Sequence, residues 1–383
     1  MSMSSGSSPL DPAVPPPPGA HALTAQVDLG QLARNLAGLR RVSKELGLLA
    51  VVKADAYGHG MGPVAGALEA AGIDGFCVAT LQEALQLRAD GIRGSILVFE
   101  GVGHEALPLA AVQHLDLTVV SADHLRELAP AVALHPVNLH LKVDTGMGRS
   151  GLLLEDLGAC LDLLRPLRDQ LQGVMSQFAD SEEPEATFIR IQRERFQGAV
   201  AQLRDAGLPT PMLHQGNSGA CLRGFVAGDT HARCGIALYG LSEVPEARAA
   251  GLRPILELTA EVIRAVRVPA GTTVGYSSTY TAPEALTLVT VNCGYADGYF
   301  RALANRAVAG YQGHTYPVVG RVSMDMLTVA MPEATVIGPR DRVTLLSRNP
   351  EDPHSVQNTA RLLAGISYEV TCALNRRVLR QPF

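Results

Sequence analysis

One lysine directly follows a predicted buried strand, a position that could make its amine reactive. Lys53 directly follows the apolar run 48–52, LLAVV, and precedes the small and polar residues ADAYGHG. An amine at the end of a buried strand is partly desolvated, which favours its neutral, nucleophilic form. Such an amine can form a Schiff base with a carbonyl compound. Most lysines are solvated surface groups, so the position predicts this chemistry without identifying the carbonyl partner.

Other residues with chemical potential also follow predicted strands. A strand is predicted at 137–143 and another at 212–214, and a third apolar stretch surrounds residue 233. In barrels built from parallel strands, active sites gather at the carboxyl ends of those strands. The residues that share this placement with the lysine are Arg149, Asn217, Ser218, Arg233, Gly235 and Ile236.

The elements that must position these residues alternate along the chain. Leucine and valine recur with helical spacing over 30–46, and the buried strand that precedes Lys53 follows directly. The same alternation repeats through the strands predicted at 76–79, 95–99, 117–120, 137–143, 173–178 and 212–214. About eight such units predict an α/β fold, a (β/α)8 TIM-type barrel over residues 24–245.

The pattern changes on both sides of this region. After Pro254, strand-like segments at 255–268, 286–291, 321–331 and 341–346 are separated by Pro, Gly and Asn, with a helix at 355–364. Residues 246–383 are therefore predicted to form a mainly β C-terminal domain. Residues 1–23 are rich in Ser and Pro and have no signal-peptide pattern, so they are predicted to be a disordered tail.

Composition excludes several classes of protein. The chain has 383 residues, 47% hydrophobic and 18% charged, with a net charge of −5. Without a basic balance, nucleic acid is not expected as a partner. No apolar run approaches the roughly 18 residues that cross a bilayer. Six dispersed cysteines fit a reducing cytoplasm, and no metal-ligand motif predicts a metal site.

The stretch VVKADAYGHG resembles the cofactor-lysine motif of alanine racemases, fold-type III enzymes that depend on pyridoxal 5′-phosphate. The resemblance covers nearly everything from residue 24 to the end. It continues, in order, through DTGMGRSG at 144–151, GNSGA at 216–220, RCGIALYGL at 233–241, GYSSTY at 275–280, GYADGY at 294–299, GRVSMDM at 320–326 and SYEV at 367–370. Each motif is weak alone, and eight in order are specific.

The resemblance implies a two-base racemisation of alanine. Lys53 resembles the lysine that binds the cofactor and exchanges the α proton with the D-enantiomer. Tyr276 resembles the second base, which serves the L-enantiomer from the opposite face. In the family this tyrosine comes from the partner subunit, which implies a homodimer with composite active sites. The expected role is a cytoplasmic supply of D-alanine for peptidoglycan.

Further roles follow from the same resemblance. Arg233 matches the arginine that faces the cofactor's pyridine nitrogen, to which it can only donate. Arg149 matches a residue that contacts both cofactor and substrate carboxylate, and Lys142 matches a lysine that is carbamylated in many relatives. The matching phosphate ligands are Tyr57, Ser218, Gly235, Ile236 and Tyr368, with Asn217 beside them. The matching substrate-pocket residues are Tyr295, Met324 and Asp325.

Two positions depart from the family pattern. Gln177 replaces a histidine that lies beside the cofactor ring, and Ser323 stands where cysteine is common. Glutamine can form hydrogen bonds but cannot titrate near pH 7. We therefore expect weaker support for Arg233 and Tyr276, with an altered rate or pH profile.

Three alternatives stay open at this point. Gly146, Gly148 and Gly151 form G-x-G-x-x-G, a dinucleotide fingerprint, although no acidic residue ends a second strand at the usual distance. Another fold-type III enzyme could act on serine, lysine or other amino acids; Arg233 argues against decarboxylation. A non-catalytic carrier of the cofactor would have no need of Tyr276 as a second base.

Overall fold

The computed structural model describes residues 23–383 except 184 and 186. The predicted tail at 1–23 lies outside these residues apart from Leu23, which begins the first strand, β1 (Leu23–Val27). The described chain divides into two compact units. One contains residues 32–56 and 61–252; the other contains residues 23–31, 57–60 and 253–383.

The first unit is a nearly closed parallel barrel. Its strands follow in the order β8-β7-β6-β5-β4-β3-β2-β9, each parallel to its neighbour. They are β2 (Gly47–Val51), β3 (Gly75–Val78), β4 (Ile96–Val98), β5 (Asp116–Val119), β6 (Asn138–Lys142), β7 (Leu171–Met175), β8 (Met212–His214) and β9 (His231–Cys234). The amide of Thr230 donates to the Leu213 carbonyl at 2.8 Å where the barrel nearly closes. The predicted barrel is confirmed.

Helices and turns alternate with these strands. They are α1 (Leu29–Ser43), α2 (Lys53–Gly58), α3 (Met61–Ala70), α4 (Leu81–Ala89), α5 (Leu107–Val112), α6 (Ala122–Val132), α7 (Leu154–Leu164), α8 (Phe188–Asp205), α9 (Ser218–Leu222) and α10 (Pro245–Ala249). Every residue of β3, β4 and β5 is buried, as expected for parallel strands covered on both faces. This burial produces the continuous apolar runs of the sequence.

The second unit is built mainly from antiparallel strands. They are β10 (Leu256–Val268), β11 (Thr273–Val274), β12 (Tyr280–Thr281), β13 (Leu286–Val291), β14 (Val308–Tyr311), β15 (His314–Val319), β16 (Leu327–Pro332), β17 (Arg342–Leu346) and β18 (Leu379–Pro382), with helices α11 (Val356–Leu362) and α12 (Ser367–Cys372). The long strand β10 pairs with β1, β13 and β17. The predicted β character of this region is confirmed.

Two details differ from the sequence expectations. β1 pairs antiparallel with β10 and parallel with β18, although residues 24–245 were assigned to the barrel. Its partners lie more than 200 residues away, so local pattern could not identify them. The strand expected at 321–331 begins only at Leu327, because Ser323–Met326 forms a tight turn in which the Ser323 amide donates to the Met326 carbonyl at 2.9 Å.

The helices show no candidate membrane span. Within residues 23–383 as described, none is both long and apolar enough to cross a bilayer. All six cysteines are free thiols, and five of them are buried.

Candidate active site

Lys53 lies at the carboxyl end of β2, where the backbone takes an uncommon path. The four residues Ala54–Tyr57 have φ between 52° and 54°, a left-handed turn made without glycine. Each L-residue in this conformation costs about 1–2 kcal/mol, so other contacts must hold it. The side chain of Glu83 accepts from the Ala54 amide at 2.7 Å, and Asp55 accepts from the Met61 amide at 2.7 Å.

Glu83 also caps the helix that it belongs to. It forms a capping box with Thr80 at the start of α4, and its second oxygen accepts from the Ala79 amide at 2.7 Å. One carboxylate therefore joins the end of β3 to the turn after Lys53. Sequence reasoning missed this residue, although the Thr-x-x-Glu spacing of a capping box was visible.

Strand β6 and the loop after it position two further basic residues. The Asp144 carboxylate accepts from the amides of Gly146, Gly148 and Arg149 at 2.8–3.2 Å. A Cβ at Gly151, where φ is +129°, would lie 2.6 Å from the Asp144 amide nitrogen. The glycines therefore allow a compact loop to close around one aspartate. This loop accounts for the G-x-G-x-x-G spacing, and no dinucleotide site is needed to explain it.

Lys142 ends β6 and is 8% exposed. Its Nζ donates to Ser150 Oγ at 2.5 Å. Burial, reinforced by the positive charges of Arg149 and Arg233, lowers the pKa of Lys142 to about 8. A partly neutral amine near neutral pH fits the reaction with carbon dioxide that gives a carbamate.

Arg233 lies on β9 and is 3% exposed. Its terminal nitrogens donate to the backbone carbonyls of Ser176, His214 and Gln215. They also donate to the His214 ring and to Gln177 Oε1, both at 3.0 Å. The Nε–H has no acceptor among the residues that the structure describes. Gln177, which replaces the histidine of the family pattern, thus still accepts a hydrogen bond from Arg233.

The corner between α9 and β9 gathers the predicted phosphate ligands of this unit. Asn217 caps α9 by accepting from the Ala220 amide at 3.0 Å. Ser218 Oγ accepts from the Gly235 amide at 3.0 Å, and Ile236 follows directly. Backbone amides and a serine hydroxyl are suitable donors for a phosphate. The Asp229 carboxylate holds the same corner by accepting from the Gly216 amide at 2.7 Å.

The second unit holds the other predicted site residues in three places. Tyr57 and Tyr368 lie together, with ring centroids 5.4 Å apart. Tyr276 follows Gly275, whose φ is +72°, and is 72% exposed. Tyr295 lies in a turn whose amides at residues 295 and 296 donate to the carbonyls of residues 323 and 324 at 3.0 and 2.9 Å.

Arg377 connects two acidic residues beside that turn. Its guanidinium lies 3.0 Å from the buried Asp297 and 2.8 Å from Asp325. Met324, next to Asp325, is half exposed. Arg377 was not predicted from the sequence, because an arginine near the C-terminus carries no local signal of its partners.

The two units therefore hold separate parts of the predicted site. The barrel unit contains Lys53, Lys142, Arg149, Gln177, Asn217, Ser218, Arg233, Gly235 and Ile236. The second unit contains Tyr57, Tyr276, Tyr295, Met324, Asp325 and Tyr368. An exposed trio elsewhere, His104, Glu105 and Glu127, brings three potential metal-ligand atoms within 4.8 Å of one another, but exposed groups of this kind are common without an ion.

Comparison with known proteins identifies the family. Residues 27–243 match the family described as "Alanine racemase, N-terminal domain", and residues 255–382 match "Alanine racemase, C-terminal domain". An alanine racemase of Carboxydothermus hydrogenoformans is 36% identical over 365 residues, which cover 93% of this chain and 98% of that protein.

Solved structures agree with this assignment. The alanine racemase of Streptomyces lavendulae has a TM-score of 0.88 at 30% identity and covers 95% of this chain and 97% of its own. That of Bartonella henselae, solved with covalently bound pyridoxal phosphate, has a TM-score of 0.83 at 27% identity and covers 94% and 99%. Matched over both of its units in sequence and structure, the chain belongs to the alanine racemase family.

Proposed function

We propose that this chain interconverts L-alanine and D-alanine with pyridoxal 5′-phosphate as its cofactor. The single observation that carries the proposal is the donor set at the carboxyl end of the barrel. An amine follows β2, a hydroxyl and backbone amides form the α9–β9 corner, and a buried guanidinium has one N–H without an acceptor in the described part of the chain. This set fits a phosphorylated pyridine aldehyde. The pyridoxal phosphate that is covalently bound in the Bartonella henselae relative supports the same assignment.

When bound, the cofactor would supply an aldehyde that reacts with amines and a ring that withdraws electrons from the α carbon. Arg233 would hold the ring nitrogen through its Nε–H and could not give up that proton, because a guanidinium stays protonated. This would limit how strongly the ring withdraws electrons. A ring that withdraws electrons less strongly favours return of the proton to the α carbon over protonation at another position. This preference suits racemisation.

Two bases on opposite faces move the α proton. Lys53 Nζ holds the proton of the D-enantiomer, and Tyr276 Oη holds that of the L-enantiomer. Tyr276 is 72% exposed in the single chain, which fits a residue that completes the site of a second copy. We therefore infer a homodimer with composite active sites.

The remaining residues bind and orient. Arg149 attracts the substrate carboxylate. Lys142, carrying a carbamate, holds the Arg149 guanidinium in place through its negative charge. Ser218, Asn217, Gly235 and Ile236 bind the phosphate, together with the tyrosine pair Tyr57 and Tyr368. Tyr295, Met324 and Asp325 line the substrate pocket, where Arg377 fixes the carboxylate of Asp325. The product D-alanine would serve peptidoglycan synthesis in the cytoplasm.

A racemisation screen tests the proposal. Each common amino acid is supplied separately as the L- and the D-enantiomer, and circular dichroism at fixed wavelength follows the loss of optical activity. We expect alanine to be racemised fastest and Lys53→Ala to be inactive. Preferred turnover of serine or lysine would replace the substrate assignment, and the absence of any racemisation by a protein that carries the cofactor would contradict the function.

The cofactor is tested separately. The purified protein should show a visible absorbance band that borohydride bleaches, and peptide mapping should find the reduced adduct on Lys53. A Lys53→Ala variant that binds the cofactor as tightly as the wild type would contradict the assignment.

A further inference from the structure

A row of four buried polar side chains crosses the inside of the barrel. Asp116 begins β5, His140 lies on β6, His214 ends β8 and Arg233 lies on β9, and their exposed fractions are 7%, 1%, 0% and 3%. His140 Nδ1 lies 2.8 Å from His214 Nε2, and His214 Nδ1 lies 3.0 Å from an Arg233 terminal nitrogen. At the other end, His140 Nε2 lies 3.8 Å from Asp116 Oδ2.

The chemistry of arginine fixes the direction of this row. A guanidinium has donors only, so His214 Nδ1 must accept from Arg233. His214, being neutral, then carries its proton on Nε2 and donates it to His140 Nδ1. His140 in turn carries its proton on Nε2, directed towards Asp116. Each hydrogen bond therefore points from Arg233 towards the amino end of the barrel.

The charges agree with this direction. Burial, followed by the positive charge of Arg233, lowers the pKa of His214 well below its ordinary value, which keeps the ring neutral. Burial opposes the charge of Asp116, but the His140 imidazole and hydrogen bonds from Ser95 and Asn138 lower the pKa of that carboxyl. The row thus has a cation at the Arg233 end, with the neutral His214 ring beside it, and an anion at the Asp116 end.

The Asp116 end opens to a cavity at the amino ends of the strands. This cavity has a volume of about 390 Å³, and Asp116 and His140 are among its lining residues, together with Arg88, Arg93 and His231. The His140 Nε2 has no hydrogen-bond partner within the described residues. A small molecule that enters the cavity could therefore take the place of the His140 ring if that ring were removed.

We propose that His214 and His140 are positioning residues, which hold the Arg233 guanidinium so that its Nε–H alone remains for the ligand. The inference rests on the role proposed above for Arg233. The His214 ring uses one terminal donor of the guanidinium, while three carbonyls and Gln177 use the others, and His140 holds the His214 ring in place. A neutral acceptor at residue 214 fixes the rotation of the guanidinium without neutralising its charge.

The first experiment measures the tautomers in the full chain as purified. With histidine labelled by ¹⁵N at both ring nitrogens, the spectra of His140 and His214 should show protons on Nε2 in both rings. His214→Leu and His140→Ala assign the signals. A proton on Nδ1 of His214 would overturn the proposal whether or not the protein racemises alanine. The expected tautomers in a protein without racemase activity would leave the row intact and reject the proposed function.

The second experiment measures kinetics and chemical rescue. His214→Leu and His140→Ala should lower kcat about 100-fold with KM nearly unchanged, since a small displacement of a positioned group costs that much. Imidazole, which can enter the cavity, should restore much of the activity of His140→Ala, whereas furan, a ring of similar size without an N–H, should not.

The control is His124→Leu, a buried barrel histidine that bonds only the backbone around residues 102 and 120. It should leave kcat unchanged. Unchanged kcat in His214→Leu, or a loss in His140→Ala that furan repairs as well as imidazole, would show that the rings only fill space and would overturn the proposal.

Discussion

At the scale of single residues, charge and burial set the chemistry of the barrel site. Lys142 and Arg233 are both buried positive groups, and they interact with each other across the end of the barrel. Arg233 donates to three backbone carbonyls, whereas the Lys142 amine has one hydrogen-bond partner among the described residues, Ser150 Oγ. The carbonyl oxygens therefore stabilise the positive charge of Arg233. Lys142 has no such acceptors among the described residues, so it is the group that can more easily lose its charge.

Lys142 is expected to react with carbon dioxide. With a pKa of about 8, roughly a quarter of the amine is neutral at pH 7.5, against about 0.1% for an ordinary lysine. A carbamate replaces a cation by an anion beside Arg149 and Arg233, which relieves their repulsion. Protein equilibrated with ¹³C-bicarbonate should show a carbamate NMR signal that is lost in Lys142→Met and kept in the control Lys44→Met. A signal that persists in Lys142→Met would contradict the prediction.

The sign of the pH effect on stability follows from the same shift. Between pH 8 and the ordinary value of 10.5, the unmodified folded chain binds fewer protons at Lys142 than the unfolded chain. The free energy of unfolding should therefore rise with pH in this window and show no such contribution below it. Urea titrations of carbon-dioxide-free wild type and Lys142→Met measure the difference, and equal slopes in that window would contradict it.

Gln177→His should alter the acid side of the pH profile. The glutamine accepts from Arg233 at any pH, whereas an imidazole accepts only when neutral, with an ordinary pKa of about 6.5. We expect similar activity at pH 8 and a several-fold greater loss at pH 6 for Gln177→His than for the wild type. Initial rates across this range measure it, with Gln172→His as the control, and superimposable profiles would remove the role of Gln177.

At the scale of elements, the left-handed turn after β2 decides where Lys53 lies. Four consecutive non-glycine residues in this conformation store strain that local sequence preferences would release. The Tyr239 hydroxyl donates to the Val51 carbonyl at 2.8 Å just before the turn, and Glu83 holds its first amide. The turn is thus a product of contacts made by distant parts of the barrel.

Glu83→Gln should loosen this turn. An amide retains one acceptor oxygen, so it cannot bond the Ala54 and Ala79 amides equally. We expect a loss of about 1–3 kcal/mol in the free energy of unfolding and slower imine formation at Lys53. Urea titration and the rate of cofactor uptake measure the two effects. The exposed Glu105→Gln is the control, and wild-type behaviour of Glu83→Gln would contradict the role.

Gly58 is expected to tolerate no side chain. It has φ of +80°, and a Cβ would lie 2.0 Å from the Thr371 carbonyl oxygen. Gly58→Ala should lower the free energy of unfolding by about 3 kcal/mol or more. Gly66→Ala is a matched control, because it lies within α3 with nothing within 4 Å of the added Cβ, and it should be neutral or stabilising. Equal effects of the two would reject the steric argument.

At the scale of the whole molecule, the proposed site residues are divided between two units. Lys53 lies in the barrel unit and the exposed Tyr276 in the other. If a second copy supplies the tyrosine, two different inactive variants can complement each other. A mixed dimer would contain one site with both changes and one site with neither.

Complementation therefore tests the proposed composite sites. Lys53→Ala and Tyr276→Phe are each expected to be nearly inactive. After equal amounts are unfolded and refolded together, half of the dimers are mixed, and each has one intact site, so about a quarter of wild-type activity should return. Each variant refolded alone is the control. No recovery in a mixture that size-exclusion chromatography shows to be dimeric would contradict sharing of residues between subunits.

The sequence by itself determined the barrel, the β character of the second region and the residue types of the candidate site. The apolar runs that precede Lys53 and surround Arg233 are continuous, as burial on both faces of a parallel sheet requires, so these elements are encoded locally. Their side-chain chemistry is likewise a property of each residue.

Only the tertiary structure decided which residues support these elements and the candidate site. The pairing of β1 with β10, the contact of Glu83 with the turn after Lys53, and the row from Asp116 to Arg233 join positions far apart in the chain. The low pKa of Lys142 and the direction of the histidine hydrogen bonds depend on burial and on neighbours. Burial and neighbours exist only once the chain has folded, and no local spacing encodes them.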